Sequence, residues 1–506
     1  MGSYEERKVR VPAKPKQREE QLGWEIGNWK CDYRVGMPGL SEEEKEAVAE
    51  LTEKFRDESR HAEIEGKEDV RREMGRLLAG YCAENGIEME KAQADYLLRV
   101  AVAHVYGFSA LDELLSDPEL EEIAVTGVGV PVFVYRRGRG WLKTNCAFGS
   151  GEALVDVMNK MARGIGRRIT LQSPRLNAVL PDGSRLHASI PPISNYELTI
   201  RKFRRNPIHV ADLIAYRTFS AEALAFLWLA MQADASLMIA GNTASGKTST
   251  LNALFQFVPL SERVLVTEET PEINVPHEHQ VKLLASAELG VPMKELVADS
   301  LRMRPDRVIV GEARTAEEVG ALLETITSGQ ARGSYATFHA QSGREVLVRM
   351  RSLGALPIDL QSLDLIVVQR RMMRYDLKER KGQEVRRCTE INEVVPPANM
   401  GDEAKLPGLR MLFKYNASSD SVVPAANSWN GSALARRACE SLGISIKEFG
   451  TELARRAEFL SGLEASLPFG EVTREIQRFS FADYEEAASK PVGAPLGVPF
   501  FNSVFE

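Results

Sequence analysis

The chain lacks any apolar run long enough to cross a bilayer as a helix. The longest, Ala223 to Met231, is soon broken by Gln232 and Asp234, far short of the roughly 20 residues a spanning helix needs. Cysteine is scarce: Cys31, Cys82, Cys146, Cys388 and Cys439 are odd in number, dispersed and without a Cys-x-x-Cys pair. That pattern excludes a disulfide framework and a structural zinc site, and five reduced thiols are expected. A basic excess is also missing, because 64 Lys and Arg stand against 71 Asp and Glu for a net charge of −7. The chain as a whole therefore lacks the electrostatic signature of a dedicated nucleic-acid binder. The opening MGSYEERKVR has no apolar stretch for a signal peptide, and Glu6 stands where a myristoylation signal takes Ser or Thr, so a cytoplasmic location is expected. His277 and His279 in VPHEHQ have no third ligand at metal spacing and are read as structural.

What is present is a globular balance, 44% hydrophobic and 27% charged, spread over 506 residues, which is too long for one ordinary core. Residues 1–107 read as a helical N-terminal region: prolines and charge suggest an extended arm over the first 40, and Ser41 with Glu44 has capping-box spacing ahead of a helix. Residues 108–205 read as an α+β unit, with a hairpin signature in IAVTGVGVPVFVYRRGRGWL, a helix near Ala153–Arg163 and strand-like runs at Leu186–Ile190 and Leu198–Phe203. Residues 206–215 read as a linker, with a hinge near Asn206–Asp212. Over 216–400, apolar runs of strand length alternate with helical stretches, the pattern of an α/β unit with a parallel sheet. From 362 onward antiparallel additions are expected, and 401–506 reads as C-terminal strands and helices ending in an apolar Pro/Gly tail.

The strongest chemical signal is Gly241-Asn242-Thr243-Ala244-Ser245-Gly246-Lys247-Thr248, a complete G-x-x-x-x-G-K-[ST] run between the strand SLMIA and a helix that continues with Ser249. Glycine lets successive backbone N–H groups face the β- and γ-phosphates, Lys247 brings a cation to them, and the Thr248 hydroxyl can ligate Mg²⁺. ATP and Mg²⁺ are thus the expected ligands. Downstream, RVIVGE is an apolar strand ending in Glu312, the candidate base that orients the attacking water. Between the two, VLVTEETPE breaks from a strand into Glu268, Glu269 and Glu272, which can position water beside a metal-bound nucleotide and stay open as alternative bases. A fourth element, TSGQ followed by GSYATFHA, ends a strand at His339, where a polar side chain can sense the γ-phosphate.

These four motifs, in this order, resemble the secretion or traffic ATPases of type II and type IV secretion, type IV pili and archaeal flagella. GNTASGKTST is similar to that family's Walker A, VTEETPE to its acidic box, LRMRPDRVIVGEAR to its Walker B and TSGQARGSYATFHA to its histidine box. LPDGSRLHASIPP and LTIRKF resemble the preceding domain, so that the likeness covers about residues 108–400. The helical N-terminus and the absent zinc cysteines resemble archaeal or pilus-type members more than the bacterial type II enzyme. Glu268-Glu269 stands where Glu-Asp is usual, and Gln330 where many members carry a first histidine.

The resemblance implies a RecA-like P-loop NTPase domain after an α+β domain and a helical extension. It also implies a homohexamer with ATP between the N- and C-terminal domains, and arginines from the N-terminal domain that complete the site. Arg185 and Arg201 match by motif position, Arg204 less closely. A planar guanidinium, always charged, suits the charge spread over phosphoryl oxygens in the transition state. The implied function is an ATPase motor for protein secretion or filament assembly, docked on an integral membrane platform protein at the inner face of the cell membrane, with no specific nucleic acid. A conjugation or packaging ATPase is the alternative, and a non-hydrolysing nucleotide-dependent scaffold a third reading.

Overall fold

Ser41 and Glu44 form the box that their spacing predicts: Ser41 N–H donates to the Glu44 carboxylate at 2.9 Å, and Glu44 N–H to Ser41 Oγ at 3.2 Å. The computed structural model describes residues 24–26, 30–35, 40–59, 67–105, 107–108, 110–136, 138–202, 207–286, 289–378, 380–397, 405–426, 429 and 431–481. Contacts divide the chain into two units that part between Arg204 and Arg205.

The first unit runs β1 (Trp24–Ile26), α1 (Glu42–Ser59), α2 (Lys67–Asn85), α3 (Lys91–Val105), α4 (Leu111–Ser116), β2 (Leu120–Val125), β3 (Pro131–Arg136), β4 (Gly140–Phe148), α5 (Gly151–Arg163), β5 (Arg175–Val179), β6 (Arg185–Ser189) and β7 (Glu197–Arg201). The strands form one antiparallel sheet in the order β1-β4-β3-β2-β7-β6-β5. Two sequence expectations change here. Residues 24–26 pair with β4 as an edge strand within the arm, and the helices do not keep a core of their own. Val48, Leu51, Met74 and Ala101 from the helices share one buried cluster with Ile123, Val134, Phe148 and Ile200 from the sheet. A charged helix such as α1 has one apolar stripe, which it must bury against a neighbouring element.

The second unit runs α6 (Val210–Ala215), α7 (Ala221–Gln232), β8 (Leu237–Gly241), α8 (Lys247–Leu254), β9 (Val264–Glu268), β10 (Gln280–Leu284), α9 (Met293–Leu301), β11 (Arg307–Ala313), α10 (Ala316–Thr327), β12 (Gly333–Phe338), α11 (Gly343–Ser352), α12 (Pro357–Leu360), β13 (Leu365–Asp376), β14 (Lys381–Val395), β15 (Gly408–Asn416), β16 (Ser421–Pro424), α13 (Ala433–Leu442), α14 (Ile446–Gly462) and α15 (Phe469–Ser480). Its nine strands follow the order β10-β9-β11-β12-β8-β13-β14-β15-β16, the first six parallel and the last three added antiparallel. This is an α/β, RecA-like P-loop arrangement.

Three expectations are corrected. β13, read as an antiparallel addition, lies parallel to β8, because the chain crosses over through α11 and α12 before returning. Residues 210–215, read as linker, form a helix whose N-cap His209 exchanges bonds with Asp212 and whose Val210, Ala211 and Leu213 are buried, so they are built into the second unit. Residues 203–206, including Arg204 and the start of the expected hinge, lie outside the described residues, as does the tail from 482. The C-terminal segment is not a separate layer either, since β15 and β16 extend the same sheet and the last helices cover α7. That helix, the longest apolar run of the sequence, is buried on all sides: Trp228 stacks on Phe257 at 4.9 Å between centroids and lies beneath the Arg456 guanidinium at 4.7 Å. No described helix is long and apolar enough to cross a membrane.

At the edge where the parallel strands begin, Arg307 is fully buried. Its guanidinium donates to Glu262 at 2.5 and 3.2 Å, to Asp234 at 2.7 Å and to the Tyr335 hydroxyl at 3.0 Å, tying together the starts of β8, β9, β11 and β12. Removing one partner of a buried ion pair leaves the other charge desolvated and uncompensated. Arg307→Ala is therefore expected to lower stability by about 3 kcal/mol, the low end of that range because Arg332 also reaches Glu262 at 3.0 Å. The check is the urea midpoint at constant m-value, and a loss below about 0.5 kcal/mol, typical of surface changes, contradicts it.

Candidate functional site

Parallel pairing of β9, β11, β12 and β8 brings the last residues of these four strands to one edge of the sheet. There stand Gly241, Glu268, Glu312 and, just past β12, His339. The turn from Gly241 to Thr248 needs unusual backbone: Ala244 has φ 59° and Gly246, which precedes α8, has φ 96°, a value that glycine adopts without a Cβ penalty. α8 then starts at Lys247 with its free N–H groups facing the turn. Lys247 is buried, and its ammonium lies 3.4 Å from the Gly241 carbonyl and 3.5 Å from that of Asn242, long contacts for a charged donor. Ser245 Oγ is buried with no hydrogen-bond partner among the described residues. Together these features fit a phosphate chain: unspent donors, a cation and the positive end of a helix converge on one turn. Thr243 and Ser249 flank the same turn, and the Thr248 hydroxyl donates to Glu272 at 3.0 Å, so a hydroxyl and a carboxylate meet where a divalent cation would be held.

The acidic residues take different places. Glu268 ends β9 and is buried, its Oε1 accepting the N–H groups of Glu272 at 2.9 Å and Ile273 at 2.8 Å, and burial pushes its carboxyl up to about 7. Glu269 is exposed, 3.3 Å from the Arg314 guanidinium. Glu312 faces two groups. Arg314 Nε donates to its Oε2 at 2.8 Å, joined by Nη2, and His339 Nε2 stands 2.6 Å from Oε1, out of line for a hydrogen bond. Burial and the Lys247 ammonium hold the His339 imidazole below its usual value, so it is neutral at pH 7.

Gln330 precedes β12 and therefore sits at the opposite edge of the sheet from His339, next to Arg332, which pairs with Glu262 and Asp234. His277 is buried, bonded to the Pro259 carbonyl at 3.1 Å and pushed down by burial to about 3. No cluster of three potential metal-ligating His, Cys, Asp or Glu side chains occurs among the described residues.

Arg185 and Arg201 belong to the first unit, where they face each other across β6 and β7, and Arg201 in turn faces Glu122 of β2. Directly opposed residues share a face, so the three charges form one row across the sheet.

Some contributors escaped the sequence. Gln369, at the end of the run LDLIVVQ, accepts from Thr250 at 3.0 Å, and its carbonyl approaches Gly241 so closely that a Cβ there would stand 2.2 Å away. Arg386 donates to the Ala244 carbonyl at 2.8 Å, and Asn242 exchanges bonds with the Arg371 backbone at 2.9 and 3.0 Å. The β13–β14 hairpin thus grips the phosphate loop from outside. A polar residue closing an apolar strand was the available signal for Gln369; Arg386 had none. Arg314 closes the segment LRMRPDRVIVGEAR, where spacing alone assigns it no role.

The family model described as type II/IV secretion system protein matches residues 107–410. The uncharacterized protein MJ0781 of Methanocaldococcus jannaschii is 40% identical over 43% of this chain, which spans about a third (32%) of that relative's length. MJ1287 of the same organism is 36% identical over 52% of this chain and 95% of its own. A putative conjugal transfer protein of Mycobacterium tuberculosis strain CDC 1551, MT3759, is 32% identical over 51% of this chain and 76% of its own. With more than half of its length matched by the family model, the chain belongs to the type II/IV secretion system protein family.

Proposed function

We propose that this chain is an ATPase motor, working as a homohexamer, that hydrolyses ATP to ADP and phosphate to power protein secretion or assembly of a pilus- or flagellum-like filament. The observation that carries this reading is the convergence of Lys247, Thr248, Glu272, Glu312 and His339 at the carboxyl edge of the parallel sheet. The loop N–H groups and Lys247 bind the β- and γ-phosphates. Thr248, beside Glu272, would hold Mg²⁺, a cation that would supply neutralisation of developing charge on the phosphate oxygens. Glu312, kept in place by Arg314, orients a water and accepts its proton as the oxygen bonds to the γ-phosphorus and the bond to ADP breaks. The neutral His339 beside Glu312 can donate to a γ-phosphate oxygen without opposing the carboxylate. Docking on an integral membrane platform at the inner face of the cell membrane completes the reading. Phosphate release from Mg-ATP by the full chain tests it, and absence of turnover rejects it.

A second reading, a conjugation-type ATPase that moves nucleic acid, draws on the similarity to the putative conjugal transfer protein. Stimulation of hydrolysis by DNA favours this reading; a rate indifferent to DNA favours the first.

Arg201 and Arg185 are the arginines of this proposal, their guanidiniums stabilising the phosphoryl group where charge develops. Arg201→Ala is then expected to lower kcat about 10²-fold, with a smaller change in nucleotide affinity. Specific activity of the parent should also rise with protein concentration as rings assemble. Turnover measured beside sedimentation checks both; full activity in a stable monomer contradicts the ring, and an unaffected arginine variant contradicts the role of Arg201.

A further inference from the structure

Three carboxylates, Glu268, Glu269 and Glu272, close β9 and follow it, and one differs from the others in what it touches. Glu268 is 3% exposed, against half-exposed Glu269, and spends one oxygen on the consecutive N–H groups of Glu272 and Ile273. Those bonds close the chain into a tight turn immediately after β9, at the point where Glu272 must present its own carboxylate to Thr248. The neighbouring strand β11 makes room for it: a Cβ at Gly311 would stand 3.0 Å from Glu268 Cγ and 3.2 Å from the Thr267 carbonyl, so a side chain there would require its neighbours to give by a few tenths of an ångström. The residue after that glycine is Glu312. Asn252 reinforces the same turn, its amide donating to the Glu272 carbonyl at 3.2 Å and accepting from Asn274 N–H at 3.0 Å.

We infer that Glu268 is a positioning residue, a buried strut that fixes the loop carrying Glu272 and the strand end carrying Glu312, and that it takes no proton from water. Its Oε1 is tied to the turn and its Oε2 is buried without a hydrogen-bond partner among the described residues, so the carboxylate is enclosed by protein. An acceptor oxygen at this position, rather than a charge, is what the turn requires, because neutral amide oxygens accept backbone N–H groups as carboxylates do. The inference rests on the hydrolase reading and assigns a division of labour within it.

The experiment is steady-state turnover of Mg-ATP by the full chain carrying Glu268→Gln, Glu268→Ala or Glu268→Asp, with nucleotide affinity measured separately by a fluorescent ATP analogue and folding by thermal unfolding. Glu268→Gln should keep kcat within about threefold of the parent, since the γ-amide oxygen still accepts both N–H groups. Glu268→Ala, and Glu268→Asp with its shorter reach, should lose about 10²-fold in kcat at little cost in KM, the penalty for catalytic groups displaced by about 1 Å. If the alanine variant does not fold, the comparison of Gln with Asp carries the test by itself: charge retained at the wrong length against length retained without charge. A glutamine variant as slow as the aspartate or alanine variant overturns the inference and makes Glu268 a base. An inactive parent overturns the hydrolase reading, and this one with it.

Discussion

Lys247→Ala is expected to remove ATP turnover, lowering kcat/KM by at least about 10³-fold, while the protein keeps its fold. The argument begins with where the ammonium is. Lys247 opens α8 and is buried, yet its contacts to Gly241 and Asn242 carbonyls at 3.4 and 3.5 Å are long for a cation. Lys247 is the first residue of α8 and lies in the turn rather than in the apolar core, and alanine is a good helix former, so the substitution keeps the helix. With triphosphate in the turn the cation faces several anionic oxygens at once in a site with little water. The effect should therefore appear in binding and turnover, with the thermal midpoint unchanged within a few degrees. Phosphate release and titration with a fluorescent nucleotide, run beside a melting curve, separate these outcomes. Parental turnover in the alanine variant contradicts the site.

The phosphate loop was legible because its geometry demands its residues: only glycine reaches φ 96° before α8 without strain, so the requirement is written in the local sequence. Glu312 and the acidic run were legible for a related reason, since an apolar strand that ends in carboxylates places them at a sheet edge whatever the rest of the fold does. The different roles of those carboxylates were not legible. That Glu268 turns inward and Glu269 outward depends on Gly311 of a strand some 40 residues on, and on which strands become neighbours. Arg386 reaches the loop from 142 residues away, a separation at which sequence spacing carries no information. The linker was misread because Pro207 marks a break while the cap that follows is His209, outside the usual Ser, Thr, Asp and Asn set. Strand direction at β13 was misread because an apolar run looks alike in either orientation, and only the crossover through α11 and α12 decides it.

Glu312→Gln is expected to bind Mg-ATP with near-parental affinity and hydrolyse it about 10²- to 10⁴-fold more slowly. Glutamine keeps the length and one acceptor oxygen, so Arg314 retains a partner and β11 keeps its register with β12. What it loses is the negative charge that draws a proton from water and the basicity to keep it. The surroundings make Glu312 suited to that task. Arg314 anchors Oε2, while Oε1, buried 2.6 Å from His339, makes no aligned hydrogen bond, so one oxygen is fixed and the other has its lone pairs unspent. Glu272 differs, because it accepts from Thr248 at 3.0 Å and is engaged where the cation would be held; Glu272→Gln should therefore raise the Mg²⁺ concentration needed for half-maximal turnover, whereas Glu312→Gln should not. Single-turnover hydrolysis across a Mg²⁺ series for both variants separates a base from a metal-site residue. Unchanged hydrolysis in Glu312→Gln, with a large loss in Glu272→Gln that added Mg²⁺ does not restore, transfers the role of base to Glu272 and leaves Glu312 as the ion-pair partner of Arg314.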